Sequence, residues 1–263
     1  MGIVRGGALV VVSVLFLVSM ISLNVFWTLG NSLEFNNIKT ELIPVVMNFA
    51  DNSVNISQVI NTTYPLMQTY CENNSEFVLG EGEMTFTISC DSVDLGKEAV
   101  INSLINSSIN SIYYKEYDCG FFDCFKKYGE NPFFLVSKHT YDYFNSKFYL
   151  IAFISIVLLG LMFLLTENRS NTFIISGALV ILSGLPFVKL SVVLGIFAQK
   201  EYLQFFTFMF TQAFYIFVKT LVLGIVLVIV GVFWKILNFG FVIKGFFDKF
   251  RGERVIVKEV SKK

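Results

Sequence analysis

Histidine occurs once in 263 residues, tryptophan twice, and proline and cysteine four times each. Each scarcity excludes something. A lone histidine, His139, with no cysteine or carboxylate at ligand spacing cannot build a histidine metal centre, so it reads as ordinary surface. No Gly-x-Ser-x-Gly, phosphate-binding glycine loop or His-Glu-x-x-His stands anywhere in the chain. With no reactive cluster, the chain reads as non-enzymatic, with no cofactor, no metal and no nucleic acid to bind. Charged residues make up only 15%, and their formal sum is zero.

What the sequence has in abundance is long apolar runs. It is 54% hydrophobic with 30 phenylalanines. A first run covers Ala8 to Leu29, a polar stretch follows from Asn31 to Lys147, and apolar segments then continue to Leu237. A bilayer core takes about 20 residues per helix, so these runs predict an integral membrane protein. The expected fold is mostly α: four transmembrane helices with one large extracytoplasmic, mostly helical domain carrying a small β-hairpin between helices 1 and 2. The expected divisions are 1–30 (helix 1), 31–147 (outer domain), 148–237 (helices 2–4 with an interfacial Phe-rich segment) and 238–263 (a basic tail).

The first segment follows Met1-Gly-Ile-Val-Arg5, and no Ala-x-Ala site follows Leu29, so it is expected to be a retained anchor rather than a cleaved signal. The second segment runs from Phe148 to Leu165, and Thr166–Asn171 reverses the chain. The third starts near Thr172 and is expected to break at Gly184-Leu-Pro186, because proline removes a backbone donor and crowds the preceding turn. Leu190 to Ala198 either finishes that crossing or lies along the interface. The stretch Tyr202 to Trp234 is too long for one crossing. Its Phe-rich part (Phe205, Phe206, Phe208, Phe210, Phe214, Phe217) is assigned partly to the interface, and the fourth crossing to Ala213–Leu237, closed by Trp234 and Lys235.

The zero net charge hides an asymmetry. From Asn31 to Lys147 there are 15 acids against 7 lysines; from Asn238 onward, 7 basic residues against 3 acids. Basic residues next to membrane segments stay cytoplasmic. Arg5, Arg169 and the tail therefore place both termini in the cytoplasm of a multi-pass cell-membrane protein and residues 31–147 outside. Lys189, Lys200 and Lys219 add nothing to this assignment.

All four cysteines, Cys71, Cys90, Cys119 and Cys124, lie in the polar stretch. An even cysteine count in an extracytoplasmic domain reads as disulfides. Three pairings are open, with Cys71–Cys90 and Cys119–Cys124, the near neighbours, favoured. Four of five Asn-x-Ser/Thr sequons also lie there, at Asn55, Asn61, Asn73 and Asn106, and are candidate glycosylation sites. The acids Glu81, Glu83, Asp91 and Asp94 lack an EF-hand pattern and read as a solvated face rather than a calcium site.

Within the same stretch, Val54 to Tyr70 has helical periodicity, with Asp51 or Ser53 as cap. Phe77 to Cys90 reads as a hairpin, and Val93 to Tyr114 as one helix. Glu34 to Phe49 is expected to extend helix 1 as far as Pro44, and Pro132 to open a helix running unbroken into the second crossing.

Polar residues inside a bilayer mark function or packing. Lys189 and Lys219 are the intramembrane charges, expected to snorkel to the surface. Gly177 and Gly184 are seven apart, as are Gly224 and Gly231, and Ser191 and Gly195 four apart, spacings that suit close helix approach. In the tail, Lys244, Lys249 and Arg251 alternate with Phe246, Phe247 and Phe250, the pattern of a basic amphipathic helix on the inner membrane face. The last stretch, Glu253 to Lys263, reads as mobile.

In layout the chain resembles claudin-like four-pass proteins, though it lacks their Trp and Gly-Leu-Trp pattern and its first loop is longer. It is also similar to the permeases of mechanotransmitting ABC systems, although six residues around Arg169 leave little room for a coupling segment. Tyr113-Tyr-Lys-Glu-Tyr-Asp-Cys-Gly-Phe-Phe-Asp-Cys-Phe125 and Asn131-Pro-Phe-Phe134, with the membrane segments after them, resemble uncharacterised four-pass proteins of small archaea. That resemblance implies a layout and no activity. The favoured expectation is a non-catalytic scaffold, adhesion or receptor-like protein that binds an envelope partner through its outer domain, in a lipid bilayer, with a protein partner or as a homo-oligomer. The alternative is a transport or permease-like subunit.

Overall fold

A computed structural model describes residues 2–54, 56–79, 86–128, 132–190 and 209–260. The chain is mostly helical, with a small two-stranded sheet. Among the described residues, four helices are long and apolar enough to cross a membrane: Val4–Ser32, Lys138–Leu165, Arg169–Val188 and Ala213–Leu237. The chain divides into two units. One comprises Met1–Val25, Phe148–Leu190 and Ala213–Lys263; the other comprises Phe26–Lys147 and, of the described residues beyond it, 209–212.

The first unit is a helix bundle. Helix α1 (Ile3–Ser32) begins in it, α8 (Lys138–Leu165) ends in it, and α9 (Arg169–Gly184) and α10 (Ala213–Val260) complete it. Phe16, Met20, Met162 and Val180 form its buried core, with Leu23, Leu158 and Leu227 packed against them. At one end Arg5 donates to the carbonyls of Leu165 (2.7 Å) and Leu164 (3.3 Å) and approaches Glu167 at 4.0 Å. A helix leaves its last carbonyls without partners, and a cation there also complements the helix dipole. The N-terminus and the reversing turn therefore share one end of the bundle. Asn168 caps α9, its side-chain oxygen accepting from the Ser170 amide. As expected, Pro186 ends the regular helix: Leu185–Val188 tightens into a 3-10 turn.

Helices α9 and α10 meet through glycine. A Cβ added to Gly177 would lie 2.7 Å from the Gly224 carbonyl oxygen; one added to Gly231 would lie 2.9 Å from the Ile174 amide. The seven-residue glycine spacings are therefore used within the chain. At the end of the bundle that holds Arg5 and the reversing turn, the Phe173 and Trp234 rings stack, 6.2 Å apart.

The second unit builds its own core. The elements are α2 (Phe35–Val54), α3 (Ile56–Cys71), β1 (Glu76–Leu79), β2 (Phe86–Ser89), α4 (Cys90–Asp94), α5 (Lys97–Tyr113), α6 (Phe121–Tyr128) and α7 (Pro132–Leu135). The strands pair antiparallel, Glu76 with Ser89 and Phe77 with Ile88. Ile60 and Met67 of α3, Ile88 of β2, Val93 of α4, and Val100 and Leu104 of α5 pack together, with Tyr64, Cys71 and Phe77 at the margin. The Tyr64 hydroxyl donates to the Val93 carbonyl at 2.7 Å.

Several local expectations are corrected. Pro44 does not end a helix: α2 runs through it, because Ile38, Leu42 and Val46 are all buried along one face and hold the helix on both sides of the proline. Asp51 and Ser53 consequently lie inside α2 rather than capping α3. Helix 1 stops at Ser32, where the Tyr113 hydroxyl takes the Leu33 carbonyl (3.0 Å) and Asn37 takes that of Asn31 (2.7 Å). The single helix expected over Val93–Tyr114 is divided at Gly96, whose φ of 110° lies in the region that glycine alone adopts readily. The helix opened by Pro132 does not run on. It breaks before α8, where Ser137 accepts from the Thr140 amide as an N-cap. Helix α10 continues to Val260, so the tail's Glu253–Val260 portion is helical.

Candidate functional site

Two places in the described structure concentrate polar or exposed groups beyond what packing requires. The first is inside the bundle. Asn24 of α1 is buried, its amide donating to Ser183 of α9 (3.2 Å) and its carbonyl oxygen accepting from Thr220 of α10 (2.9 Å). Ser183 passes its own proton to the Val180 carbonyl at 2.7 Å. Nearer the other end, Ser19 of α1 and Ser155 of α8 share a hydrogen bond of 2.7 Å. One amide therefore joins three helices and a hydroxyl pair joins the fourth. Outward positions on the same helices are apolar: Val10, Val14 and Val18 on α1, Phe153 and Ile156 on α8, Ile229 and Phe233 on α10. Polar groups inside and apolar groups outside is the arrangement a helix bundle takes in lipid. Sequence reading did not single out Asn24, Ser183 or Thr220. Only their standing as polar residues within apolar runs was available as a signal.

The intramembrane lysines sit elsewhere. Lys189 is exposed at the end of the 3-10 turn. Lys219 is half-buried, with its ammonium 4.2 Å from the centre of the Tyr215 ring one turn back, a cation–π contact. The buried polar side chains of the bundle are hydroxyls and one amide, with no acid or base among the described residues.

The second place is the surface of the cysteine-bearing unit. The disulfides join Cys71 to Cys90 and Cys119 to Cys124, the favoured pairing. The first ties the end of α3 to the start of α4; the second fastens the loop before α6 to that helix. Beside the first, Leu66 and Tyr70 stand exposed one turn apart on α3, and Tyr70 meets Phe77 edge-on at 5.4 Å. Of the sequon asparagines, Asn73 is exposed in the turn after α3. Asn61 is exposed on α3 with its carbonyl taken by Lys97 (2.7 Å), Asn106 is half-buried on α5, and Asn55 lies outside the described residues. Asp91 and Asp94 are exposed on α4, while Glu81 and Glu83 lie outside the described residues; no cluster that would hold a metal occurs among those described.

Phe210, Phe214 and Phe217 are described, but Phe205, Phe206, Phe208, the Leu190–Ala198 interfacial reading beyond Leu190, and the Ser191/Gly195 pair lie outside the described residues. Lys244, Phe246, Phe247, Lys249, Phe250 and Arg251 all lie on α10.

His139 is not ordinary surface. Its ring lies 5.9 Å from Tyr117 and 6.0 Å from Phe134, and its Nε2 is buried without a hydrogen-bond partner among the described residues. Burial raises the Tyr117 phenol above its ordinary range, with Tyr128 adding to the shift.

No protein family, no curated protein and no solved structure matches this chain.

Proposed function

We propose that the chain is a non-catalytic integral membrane protein of scaffold, adhesion or receptor type, which binds an envelope partner through its cysteine-bearing unit. The observation that carries this reading is the pair of disulfides within one separately cored unit. Disulfides persist in oxidising compartments, so residues 31–147 face outward. Arg5 and the Arg169 turn share one bundle end, and Lys235 closes the fourth span beside Trp234 at the same end. Basic residues at one end favour the cytoplasmic side, which puts both termini inside and lets Lys244, Lys249 and Arg251 meet anionic inner-leaflet lipid. Asn73, exposed in a turn, is then the best placed glycan acceptor.

Leu66 and Tyr70 beside the Cys71–Cys90 bridge are the residues offered to the partner, a protein or glycan of the envelope. Transport is the weaker reading. Its two lysines are accounted for by exposure and by the Tyr215 contact, and the buried Asn24 amide and the Ser19, Ser155, Ser183 and Thr220 hydroxyls are bonded to one another. A photo-crosslinker at Leu66 or Tyr70 in intact native membranes should capture one envelope protein or glycan. An impermeant reductant of the disulfides, or a protease, should reach the unit only from outside. Empty crosslinks at both positions, or access only from the cytoplasmic face, overturn the proposal.

A further inference from the structure

Helix α6 carries two aromatic side chains that the described residues of its unit leave largely uncovered. Phe122 and Phe125 are 65% and 43% exposed, one turn apart on the same face. The adjoining face is fixed: Cys124 is buried and bridged to Cys119, and Phe121 stacks on Tyr143 of α8 at 4.2 Å with the rings 9° from parallel. Phe121 also meets Phe144 (5.5 Å), and Phe122 itself touches Tyr143 edge-on (5.9 Å). The helix is therefore held against α8, with Phe122 at the edge of Tyr143 and Phe125 beside Phe121 (6.3 Å), each keeping a broad exposed surface. Lys126 and Lys127 stand exposed in its last turn.

The position along α8 decides what those rings meet. Helix α8 has 28 residues, about 42 Å at the helical rise, against a hydrocarbon core of about 30 Å. Its uninterrupted apolar part begins at Phe148, so the turns before it rise through the headgroup zone, which adds several ångströms on each side of the core. Tyr143 stands five residues before Phe148, roughly 7–8 Å along the axis. Lys147, with its ammonium 5.4 Å from the Tyr143 ring, has the placing of an interfacial anchor. A helix bolted beside Tyr143 is therefore at headgroup depth. Its exposed surface, two phenylalanines with Asp123, Lys126 and Lys127 beside them, has the amphipathic composition of a segment lying in the interface.

We infer that α6 is an interfacial anchor: Phe122 and Phe125 insert into the lipid leaflet on the side of the cysteine-bearing unit, and the Cys119–Cys124 bridge and the Phe121–Tyr143 stack set their depth. The occupant of the exposed face is phospholipid, continuous with the lipid around α8. This holds whichever side of the membrane the unit occupies, so it stands apart from the proposed function.

The test uses the full chain in vesicles of phosphatidylcholine and phosphatidylglycerol, with p-benzoylphenylalanine in place of Phe122, Phe125, Phe153 or Glu72. Phe153 is exposed within the α8 span and Glu72 is an exposed polar position after α3. After irradiation, phospholipid adducts should form at 122 and 125 as at 153, about tenfold above those at 72. Mass spectrometry of the Cys119–Cys124 peptide verifies that each variant is folded, and either aromatic position alone suffices as a reading. Adducts at 153 but at neither 122 nor 125 overturn the inference, as does crosslinking of 122 or 125 to a second copy of the chain.

Discussion

Replacing Gly177 by alanine adds one methyl group to the tightest seam in the bundle. That methyl would stand 2.7 Å from the Gly224 carbonyl oxygen and 2.9 Å from the Val228 amide nitrogen. Both are backbone atoms of α10, so neither can rotate aside, and the two helices must separate by roughly 0.5–1 Å, a gap that forfeits a quarter to a half of the dispersion energy across it. Overpacking of this kind costs about 1–3 kcal/mol. Gly184, on the same helix two turns later, is the internal comparison. Its added methyl would meet only side-chain atoms of Phe217 and Thr220, at 3.4 Å, and alanine there gains up to about 1 kcal/mol of helix propensity. Gly184→Ala should therefore match or slightly exceed the parent in a reversible detergent-unfolding titration, while Gly177→Ala unfolds at clearly lower denaturant. The reciprocal change, Gly224→Ala, meets the Gly177 carbonyl oxygen at 2.9 Å. Once one methyl has opened the seam the second costs less, so the double variant should lose less than the two single losses combined. Equal midpoints for the 177 and 184 variants would refute the close approach of α9 and α10.

Three further outcomes are expected. Asn24→Ala removes the acceptor of Thr220 while Ser183 keeps its bond to Val180; the loss should be about 0.6–2 kcal/mol, read in the same titration. Cys71→Ser with Cys90→Ser opens a separation of 19 residues and should cost about 3 kcal/mol, against about 2 kcal/mol for the five-residue Cys119–Cys124 link, measured as two thermal midpoints under non-reducing conditions. Burial, then neighbouring Tyr114, Tyr141, Asp142 and Glu34, raises the Tyr113 phenol well above its ordinary 10.0. A group whose folded pKa is raised contributes stability that is whole below the unfolded value and falls as pH climbs past it. The cysteine-bearing unit should therefore weaken above about pH 10, and Tyr113→Phe should flatten that alkaline loss in a pH-dependent melting series, at a cost of about 1 kcal/mol for the bond to Leu33.

The crossings were legible because bilayer thickness imposes a length and composition that a single chain cannot disguise. Ala213, read as the start of the fourth crossing, is the first residue of α10. The cysteine pairing was legible because each pair is close in sequence, and the hairpin because Phe86 and Ile88 alternate with Thr87 and Ser89 and Ile88 pairs with Phe77. What escaped were effects of tertiary partners on local rules. Pro44 is a breaker by local chemistry, yet α2 buries Leu42 and Val46 around it. Ser137 looks like one more polar residue until its side chain caps α8. Helix α6 has no long periodic run. It exists because Cys124, Phe121 and Tyr128 share a face that the Cys119 bridge and the Tyr143 and Tyr117 rings cover. His139 was misjudged for the same reason: the residues that bury it, Tyr117 and Phe134, lie 22 and 5 positions away.

The interior of the bundle explains why the polar residues within its apolar runs are tolerated. In lipid, apolar side chains gain little by choosing a helix over a lipid tail, so specificity falls to close packing and to the few groups that lipid cannot satisfy. Here these two devices occupy the same helix pair. Gly177 and Gly224 bring α9 and α10 together. Toward one end of that seam Asn24 enters from α1 with one donor for Ser183 on α9 and one acceptor for Thr220 on α10. An amide bonded to both partners fixes the rotation of α1 about its axis. Turning α1 by one residue, about 100°, would carry Asn24 toward lipid and leave Thr220 without its acceptor. The same rotation would break the Ser19–Ser155 bond, since Ser19 lies on α1 only five residues earlier. The glycine seam sets the distance between α9 and α10, and the amide and hydroxyls set which face of α1 meets them.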